Sequence, residues 1–123
     1  MAIILHITTR ADWDAAQAAG SYRPPSLTHE GFIHCSTPAQ VIASANKFFR
    51  GRTDLVLLCI DEARVVPEVS YELPLAIGGV PDPRAGERFP HLYGPLALDA
   101  VIRVVLLPCD RDGGFTLPAG AID

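Results

Sequence analysis

Three of the four histidines in the chain share a local pattern, in which a hydroxyl-bearing residue follows two positions later. The pairs are His6 and Thr8, His34 and Ser36, and His91 and Tyr93. In a β-strand, residues two apart point to the same face, so each pair would present an imidazole beside a hydroxyl. If the three faces converge, they form a cleft able to hydrogen-bond a ribose, an amide or a phosphate. The repeated spacing therefore predicts a ligand site at which the three histidines meet.

Charged residues close to these motifs are candidates for further roles. Glu72 and Glu87 flank the third histidine segment and are the candidate catalytic acids. Arg23 and Arg88 could supply positive charge for a phosphate, with a surface role as the default for both. A zinc site made of the three histidines is disfavoured, because its ligands would come from separate strands without an evident carboxylate to orient them. No metal is therefore predicted.

Composition limits the classes of protein to consider. The chain has 123 residues, 49% hydrophobic and 20% charged, which predicts one folded domain over residues 1–123. A net charge of −4 argues against general electrostatic binding to nucleic acid or to an anionic membrane. The N-terminus lacks the pattern of a signal peptide, and the apolar runs are too short to span a membrane. We therefore expect a cytoplasmic protein whose partner is a small molecule.

The first half of the chain carries the signals of two helices. Thr8 or Thr9 offers an N-cap for an alanine-rich segment that Gly20 would end. Thr37 begins a second helix that Gly51 would close. Between the two, residues 21–30 contain two consecutive prolines and are predicted to form a loop.

Gln40 strengthens the start of the second helix. It lies three residues after Thr37, which is the spacing of a capping box, and Pro38 occupies the favoured first helical position. The sequence therefore predicts that the side chain of Gln40 bonds back to the backbone of Thr37.

Apolar, β-branched segments bounded by glycine and proline predict the strands. They cover residues 3–8, 31–36, 54–61, 65–66, 69–73, 88–93 and 101–107. Residues 54–61 are apolar on both faces, which favours a central strand, whereas residues 78–86 have little to bury. The order of the helices and strands along the chain predicts an α+β fold, with two helices in the N-terminal half and a mostly antiparallel or mixed sheet.

The same residues carry a family resemblance over nearly the whole chain. They include His6-Ile7-Thr8, Trp13, Gly20, Tyr22, the stretch GFIHCS at residues 31–36, Gln40, Asn46, Phe49 and the stretch FPHLYGPL at residues 89–96. Together they resemble the bacterial domain-of-unknown-function 952 family. GFIHCS and FPHLYGPL are the specific parts of the match, and the family has no established activity to carry over.

A more distant resemblance is to ADP-ribosyltransferase-like domains, including the RNA 2′-phosphotransferases. A strand with His-x-Thr, a helix ending at glycine and a strand ending in His-x-Ser are similar to the opening of those domains. The resemblance implies that His6 holds the nicotinamide-side ribose of NAD, and that His34 and Ser36 line the same pocket. Two positions depart from the pattern: Ile7 stands where a glycine would be, and Phe32 where a histidine would be.

Two functions of different classes stay open. One is an NAD- or nucleotide-using transferase, with NAD as a possible cofactor and Glu72 or Glu87 as its acid. The other is a non-catalytic module that binds a small nucleotide or sugar-phosphate. The predicted ligand-binding residues are the same for both: His6, Thr8, Tyr22, Arg23, His34, Ser36, His91 and Tyr93.

Overall fold

The computed structural model describes residues 2–73 and 86–121, which form an α+β fold. The helices are α1 (Arg10–Ala19), α2 (Pro25–His29) and α3 (Val41–Phe48), with short 3-10 helices at Glu62–Arg64 and Leu98–Ala100. The strands are β1 (Ile3–Thr9), β2 (Ser21–Tyr22), β3 (Ile33–His34), β4 (Leu55–Asp61), β5 (Val69–Glu72), β6 (Phe89–Leu92), β7 (Leu96–Ala97) and β8 (Val101–Leu106). Among the described residues, no helix is long and apolar enough to cross a bilayer.

The largest sheet has the order β1-β4-β8, and both of its ladders are antiparallel. Every residue of β4 is buried, as expected for a strand that pairs on both edges and is covered on both faces. The prediction of a central strand at residues 54–61 is therefore confirmed.

Two hydrophobic clusters cover the opposite faces of this sheet. Ile4, Val56 and Leu58 pack on one face with Trp13 of α1. The other face has its own cluster, which contains Leu5, Leu57, Cys59, Val41, Ala45 and Phe115. The side chains of β1 thus alternate as the two-residue period requires, and the even-numbered face carries both His6 and Thr8.

Two smaller antiparallel sheets complete the fold, β2-β7 and β3-β6-β5. In the second of these, His34 pairs directly with His91, and His91 pairs on its other side with Ser70. A bridge between Leu5 and Ser36 joins β1 to the segment after β3. Its two backbone hydrogen bonds have nitrogen-to-oxygen distances of 2.7 and 2.8 Å. This bridge brings the three histidine segments next to one another.

The predicted ends of α1 are confirmed. The Asp12 backbone N–H donates to Thr9 Oγ1 at 3.0 Å, so Thr9 is the N-cap. Gly20 ends the helix with φ of 91°, a left-handed conformation that glycine adopts without a steric penalty. The predicted bond from the Gln40 side chain to the Thr37 backbone is present, because the Thr37 N–H donates to Gln40 Oε1 at 3.0 Å, although Thr37 is not the N-cap of a helix.

The structure corrects three predictions about the elements. The segment predicted as a loop contains α2, a five-residue helix that starts at Pro25, where the missing N–H of proline costs nothing. The next helix, α3, begins at Val41 rather than at Thr37, after a turn over residues 38–40. Residues 65–66 are not a strand, since no partner among the described residues pairs with them.

The other predictions about the second half are confirmed in outline. After Gly51, the described part of the chain contains strands and two 3-10 turns but no α-helix. The two-residue strands β2 and β7 were not predicted, because two residues are too few to show a period. Of the segment 78–86, predicted to have little to bury, all but one residue lies outside the described residues.

Candidate functional site

The first histidine lies in a buried hydrogen-bonded group that we call the Tyr22 cluster, formed by His6, Thr8 and Tyr22. His6 Nε2 lies 2.7 Å from the Tyr22 hydroxyl, which lies 3.0 Å from Thr8 Oγ1. On its other side, His6 Nδ1 lies 2.5 Å from the backbone oxygen of His34. The strand spacing of His6 and Thr8 thus aims both side chains at one tyrosine hydroxyl.

The partners of His6 determine where its proton lies. A carbonyl oxygen only accepts, so His6 Nδ1 carries the hydrogen and donates it to His34. Nε2 then accepts from the Tyr22 hydroxyl, and because that hydroxyl has one proton, Thr8 donates to Tyr22. Burial lowers the pKa of His6 to about 4, so the ring is neutral at pH 7. Burial likewise raises the pKa of Tyr22 to about 12.

The third histidine belongs to a second group, which we call the Glu72 cluster: Glu72, His91 and Tyr93. Glu72 Oε1 lies 2.8 Å from His91 Nδ1 and also accepts a hydrogen bond from the Tyr93 hydroxyl. His91 lies on β6 and Tyr93 directly follows that strand, and at the predicted spacing both side chains reach the same carboxylate oxygen. The His91 side chain is 5% exposed and that of Glu72 is 37% exposed, so the carboxylate is the part that faces solvent.

Aromatic contacts connect this cluster to the second histidine. Phe32 stacks on His91, with ring centroids 4.1 Å apart and planes 15° from parallel. Phe32 also meets the His34 ring edge-on at 4.7 Å, and the His34 and His91 rings lie 5.6 Å apart. The His34 side chain, 52% exposed, is held by Glu30, whose two carboxylate oxygens lie 3.0 and 3.1 Å from Nε2.

Burial and hydrogen bonds set the protonation states of the side chains in the Glu72 cluster. Hydrogen bonds from Tyr93 and from His91 lower the pKa of Glu72, so its carboxylate is ionised at neutral pH. Burial lowers the pKa of His91, and the bond to Glu72 partly opposes that effect. The same carboxylate raises the pKa of Tyr93. The cluster therefore offers an ionised carboxylate, a neutral imidazole and a phenol at neutral pH.

The remaining predicted site residues lie outside these two clusters. Ser36 is buried, with its hydroxyl 3.4 Å from that of Ser44 on α3, and it makes no hydrogen bond to His34 among the described residues. Glu87 is exposed, and in residues 2–73 and 86–121 no hydrogen bond joins it to a histidine.

Arg23 lines a depression of about 400 Å³ to which Tyr22 of the Tyr22 cluster also contributes. The lining residues are Asp12, Ala15, Ala16, Ala19, Ser21, Tyr22, Arg23, Pro24 and Pro25. Arg23 Nε donates to Ser21 Oγ at 3.2 Å within this wall. None of the three histidines of the repeated motif lines the depression.

The three predicted histidine segments are adjacent but differ in accessibility. The His6 and His91 rings are both buried, whereas the His34 ring, which lies 5.6 Å from that of His91, is half exposed. Neither Glu72 nor Glu87 forms a hydrogen bond to His6 within the described residues. Groups of three or more histidine, cysteine or carboxylate side chains able to hold a metal ion do not occur there either.

Two participants were not predicted from the sequence, Glu30 and Phe32. Phe32 precedes His34 by two residues in the predicted strand, so the same period that selected Ser36 could have selected it. Glu30 comes directly after α2, in the segment predicted as a loop, and no periodic signal marked it. Its contact with His34 depends on the short helix that brings the chain back to the strand.

Comparison with known proteins identifies relatives without assigning a role. The family described as "Protein of unknown function (DUF952)" matches residues 7–104. The chain is 37% identical to protein CC0527 from Caulobacter crescentus, whose crystal structure has a TM-score of 0.80, with 94% of each chain covered. A crystal structure of a double mutant of CC0527 gives the same values. The solution NMR structure of CC0527 has a TM-score of 0.75, covering 93% of this chain and 91% of that one. No curated protein matches the chain.

Proposed function

Because the chain belongs to the DUF952 family, whose function is unknown, we propose its function from the geometry of its own side chains. The protein binds a small ligand containing a ribose or a related sugar ring, such as a small nucleotide or sugar-phosphate, at the Glu72 cluster. One observation carries the proposal: a partly exposed carboxylate, Glu72, is fixed by His91 and Tyr93, and the His91 ring is itself held by stacking on Phe32. Few polar groups fixed against an aromatic wall are typical of small-molecule sites.

The chemistry of the cluster suits hydroxyl groups. Each carboxylate oxygen has two lone pairs, so Glu72 can accept from a sugar hydroxyl while it keeps its bonds to His91 and Tyr93. The C–H face of a sugar ring is apolar and can pack against the exposed ring of Tyr93, which is 40% accessible. The ligand would therefore be held through its hydroxyls and its ring face.

The charges favour the sugar over the phosphate as the recognised group. Glu72 and Glu30 are both anionic, and in the described part of the chain no lysine or arginine bonds to them. A phosphate placed against these carboxylates would be repelled. We therefore assign the recognition to neutral and carboxylate hydrogen bonds, with any phosphate of the ligand pointing away into solvent.

We propose binding rather than the NAD- or nucleotide-using transferase for two reasons. That alternative gives the ribose to His6, yet both ring nitrogens of His6 already have protein partners. It also requires a glutamate beside His6, and Glu72 bonds instead to His91. Glu72 does retain one property that transfer would need, since an ionised carboxylate stabilises positive charge at an anomeric carbon.

Titration with sugar-containing probes tests the proposal. The probes are ribose 5-phosphate, AMP, ADP-ribose and NAD, and binding is followed by calorimetry and by backbone amide NMR shifts. Glu72→Gln should weaken binding tenfold or more, because hydrogen bonds to an ionised group are stronger than neutral ones. The shifts should centre on β5 and β6.

The matched control is Glu62→Gln. Glu62 also accepts a hydrogen bond from a tyrosine, because the Tyr71 hydroxyl lies 2.5 Å from Glu62 Oε1. Glu62 takes no part in the Glu72 cluster. This variant should bind the probes as the unmodified protein does. Equal losses in the two variants, or no binding of any probe, would contradict the proposal.

A further inference from the structure

The depression beside α1 is open because the side chains on that face of the helix are short. Asp12, Ala15, Ala16 and Ala19 follow one another at spacings of three, one and three residues, which places them on one face of α1. Residues 21–25 form the facing wall. Because the alanines end at Cβ, about 400 Å³ stays open between the two walls. That volume lies at the lower end of the range for small-molecule sites.

Arg23 provides the positive charge of this depression. Its Nε donates to Ser21 Oγ at 3.2 Å, and this bond orients the guanidinium group. The two terminal nitrogens of Arg23 make no hydrogen bond within residues 2–73 and 86–121, so they can donate together to a carboxylate. The Ser21 hydroxyl keeps its own proton and can donate to the same group.

Asp12 provides the negative charge. Its backbone N–H bonds to Thr9, but its carboxylate has no hydrogen bond or ion pair in the described part of the chain. Burial is the main cause of the raised pKa of Tyr22, and the charge of Asp12 adds to that effect, so the carboxylate lies near the Tyr22 wall. Arg52 is also within range of Asp12, but its guanidinium is paired with Asp54 at 2.8 and 3.1 Å. The Asp12 carboxylate is therefore available to a ligand.

We propose that this depression binds a small zwitterion, an amino acid with an apolar carbon skeleton. The ligand carboxylate bonds to the terminal nitrogens of Arg23 and to the Ser21 hydroxyl, and the ligand ammonium group lies against Asp12. The carbon skeleton packs on the alanine methyl groups of α1. This site is separate from the proposed sugar site, because no residue of the Glu72 cluster lines the depression.

The two charges select against other small ligands. Asp12 and Arg23 form no ion pair with each other, so a ligand that displaces water from the depression must supply a partner for each of them. A phosphate would be attracted by Arg23 and repelled by Asp12, and an amine without a carboxylate would meet the reverse. A neutral sugar would leave both charges without a partner. One charge of each sign satisfies the whole site.

The test compares L-leucine with two blocked analogues, each of which lacks one charge. N-acetyl-L-leucine has no ammonium group, and L-leucinamide has no carboxylate. Backbone amide NMR shifts should centre on α1 and residues 21–25, and L-leucine should bind about tenfold more tightly than either analogue. A parallel titration with 6-aminohexanoate measures whether a wider separation of the charges fits better, and tighter binding of that probe would equally support a zwitterion site.

Two variants assign the charges to the two ends of the ligand. Arg23→Gln should weaken L-leucine about tenfold and leave L-leucinamide almost unchanged, because L-leucinamide has no carboxylate to lose. Asp12→Asn should weaken L-leucine and leave N-acetyl-L-leucine almost unchanged. The matched controls are Arg10→Gln and Asp14→Asn, since both residues are exposed on α1 and neither lines the depression.

A third variant tests the space itself. Ala15→Leu should abolish detectable binding, because leucine is a good helix former whose longer side chain fills the depression. Ala18→Leu is the control, as Ala18 is also exposed on α1 but is not a lining residue. Equal losses in the two leucine variants would contradict a site at this place.

The outcomes decide the proposal without reference to sugar binding. It is overturned if neither L-leucine nor 6-aminohexanoate shifts the α1 amides, or if Asp12→Asn and Arg23→Gln behave as their controls do. Inorganic phosphate is the competing probe. If phosphate binds as tightly as L-leucine and Asp12→Asn strengthens its binding, the depression is an anion site and the zwitterion proposal is wrong.

Discussion

The His6 ring and the Tyr22 hydroxyl share a hydrogen bond of 2.7 Å that connects β1 to β2 inside the core. The opposite nitrogen of the same ring donates to the backbone of His34 in β3. One neutral imidazole therefore fixes three strands relative to one another. Its protonation would leave Nε2 as a second donor, and Tyr22 would have to give up its own donation to the ring.

Acid should therefore destabilise the fold through His6. The pKa of His6 is about 4 in the folded protein against an ordinary 6.5, so between these values the unfolded chain binds more protons. Stability rises with pH in that window: the contribution of His6 is fully present above it and is lost as the pH falls. Between pH 7.5 and 5 the free energy of unfolding should decrease by about 2 kcal/mol from this group. Urea denaturation at a series of pH values measures it.

His6→Asn is the control for this pH dependence. The amide of asparagine can still donate towards the His34 oxygen but does not titrate. The variant should be less stable at pH 7.5, because Tyr22 loses its acceptor, and its stability should change less between pH 7.5 and 5. A slope as steep as that of the unmodified protein would show that His6 is not the responsible group.

Tyr22→Phe should cost about 1–3 kcal/mol of unfolding free energy, because it leaves His6 Nε2 buried without a donor. Tyr22 is 4% exposed and its ring stays in place in the variant, so packing changes little. Thr8→Val removes the other end of the same chain of hydrogen bonds.

A double-mutant cycle tests whether the two substitutions act on one network. Chemical denaturation of both single variants and of the pair should reveal a coupling of about 0.5–3 kcal/mol. Strictly additive losses would mean that Thr8 and Tyr22 stabilise the fold independently.

Local signals explain which parts of the fold could be predicted. The cap at Thr9, the glycine end at Gly20 and the bond between Gln40 and the Thr37 backbone each depend on neighbours within four residues, and all three are present. The same holds for β4, whose unbroken apolar run predicted burial on both faces. In contrast, α2 is a single short turn of helix with no buried side chain, so it has no hydrophobic period to detect.

The candidate site shows the limit of such signals. The spacing of His91 and Tyr93 predicted that they share a face, and it could not predict that Glu72 lies between them. That contact depends on the register in which Glu72 pairs with Phe89, which only the folded sheet defines. The burial of His6 under β3 could not be predicted either, because it depends on the bridge between Leu5 and Ser36.

Gly94→Ala should destabilise the protein, since an added Cβ would lie 2.7 Å from Cβ of Pro67. Pro67 is a rigid ring, so the backbone after Tyr93 would have to shift, at a cost of about 1–3 kcal/mol. Gly114→Ala is the matched control, because its Cβ would meet its nearest neighbours at 3.5 Å, an ordinary contact. Thermal unfolding of both variants checks the difference, and equal melting temperatures would contradict the expected clash.

Ligand binding should depend only weakly on salt. In the proposed site a sugar is held by hydrogen bonds to Glu72 and by packing on the ring of Tyr93, and no ion pair with a phosphate is available to be screened. The dissociation constant of AMP should therefore change less than threefold between 20 and 200 mM NaCl, a range over which long-range attraction between charges is largely lost. Arg23→Gln, which alters the separate depression beside α1, should leave it unchanged. If the affinity for AMP instead falls steeply with salt, and Arg23→Gln also weakens binding, the phosphate is recognised near Arg23. That result would contradict the proposed sugar site at the Glu72 cluster.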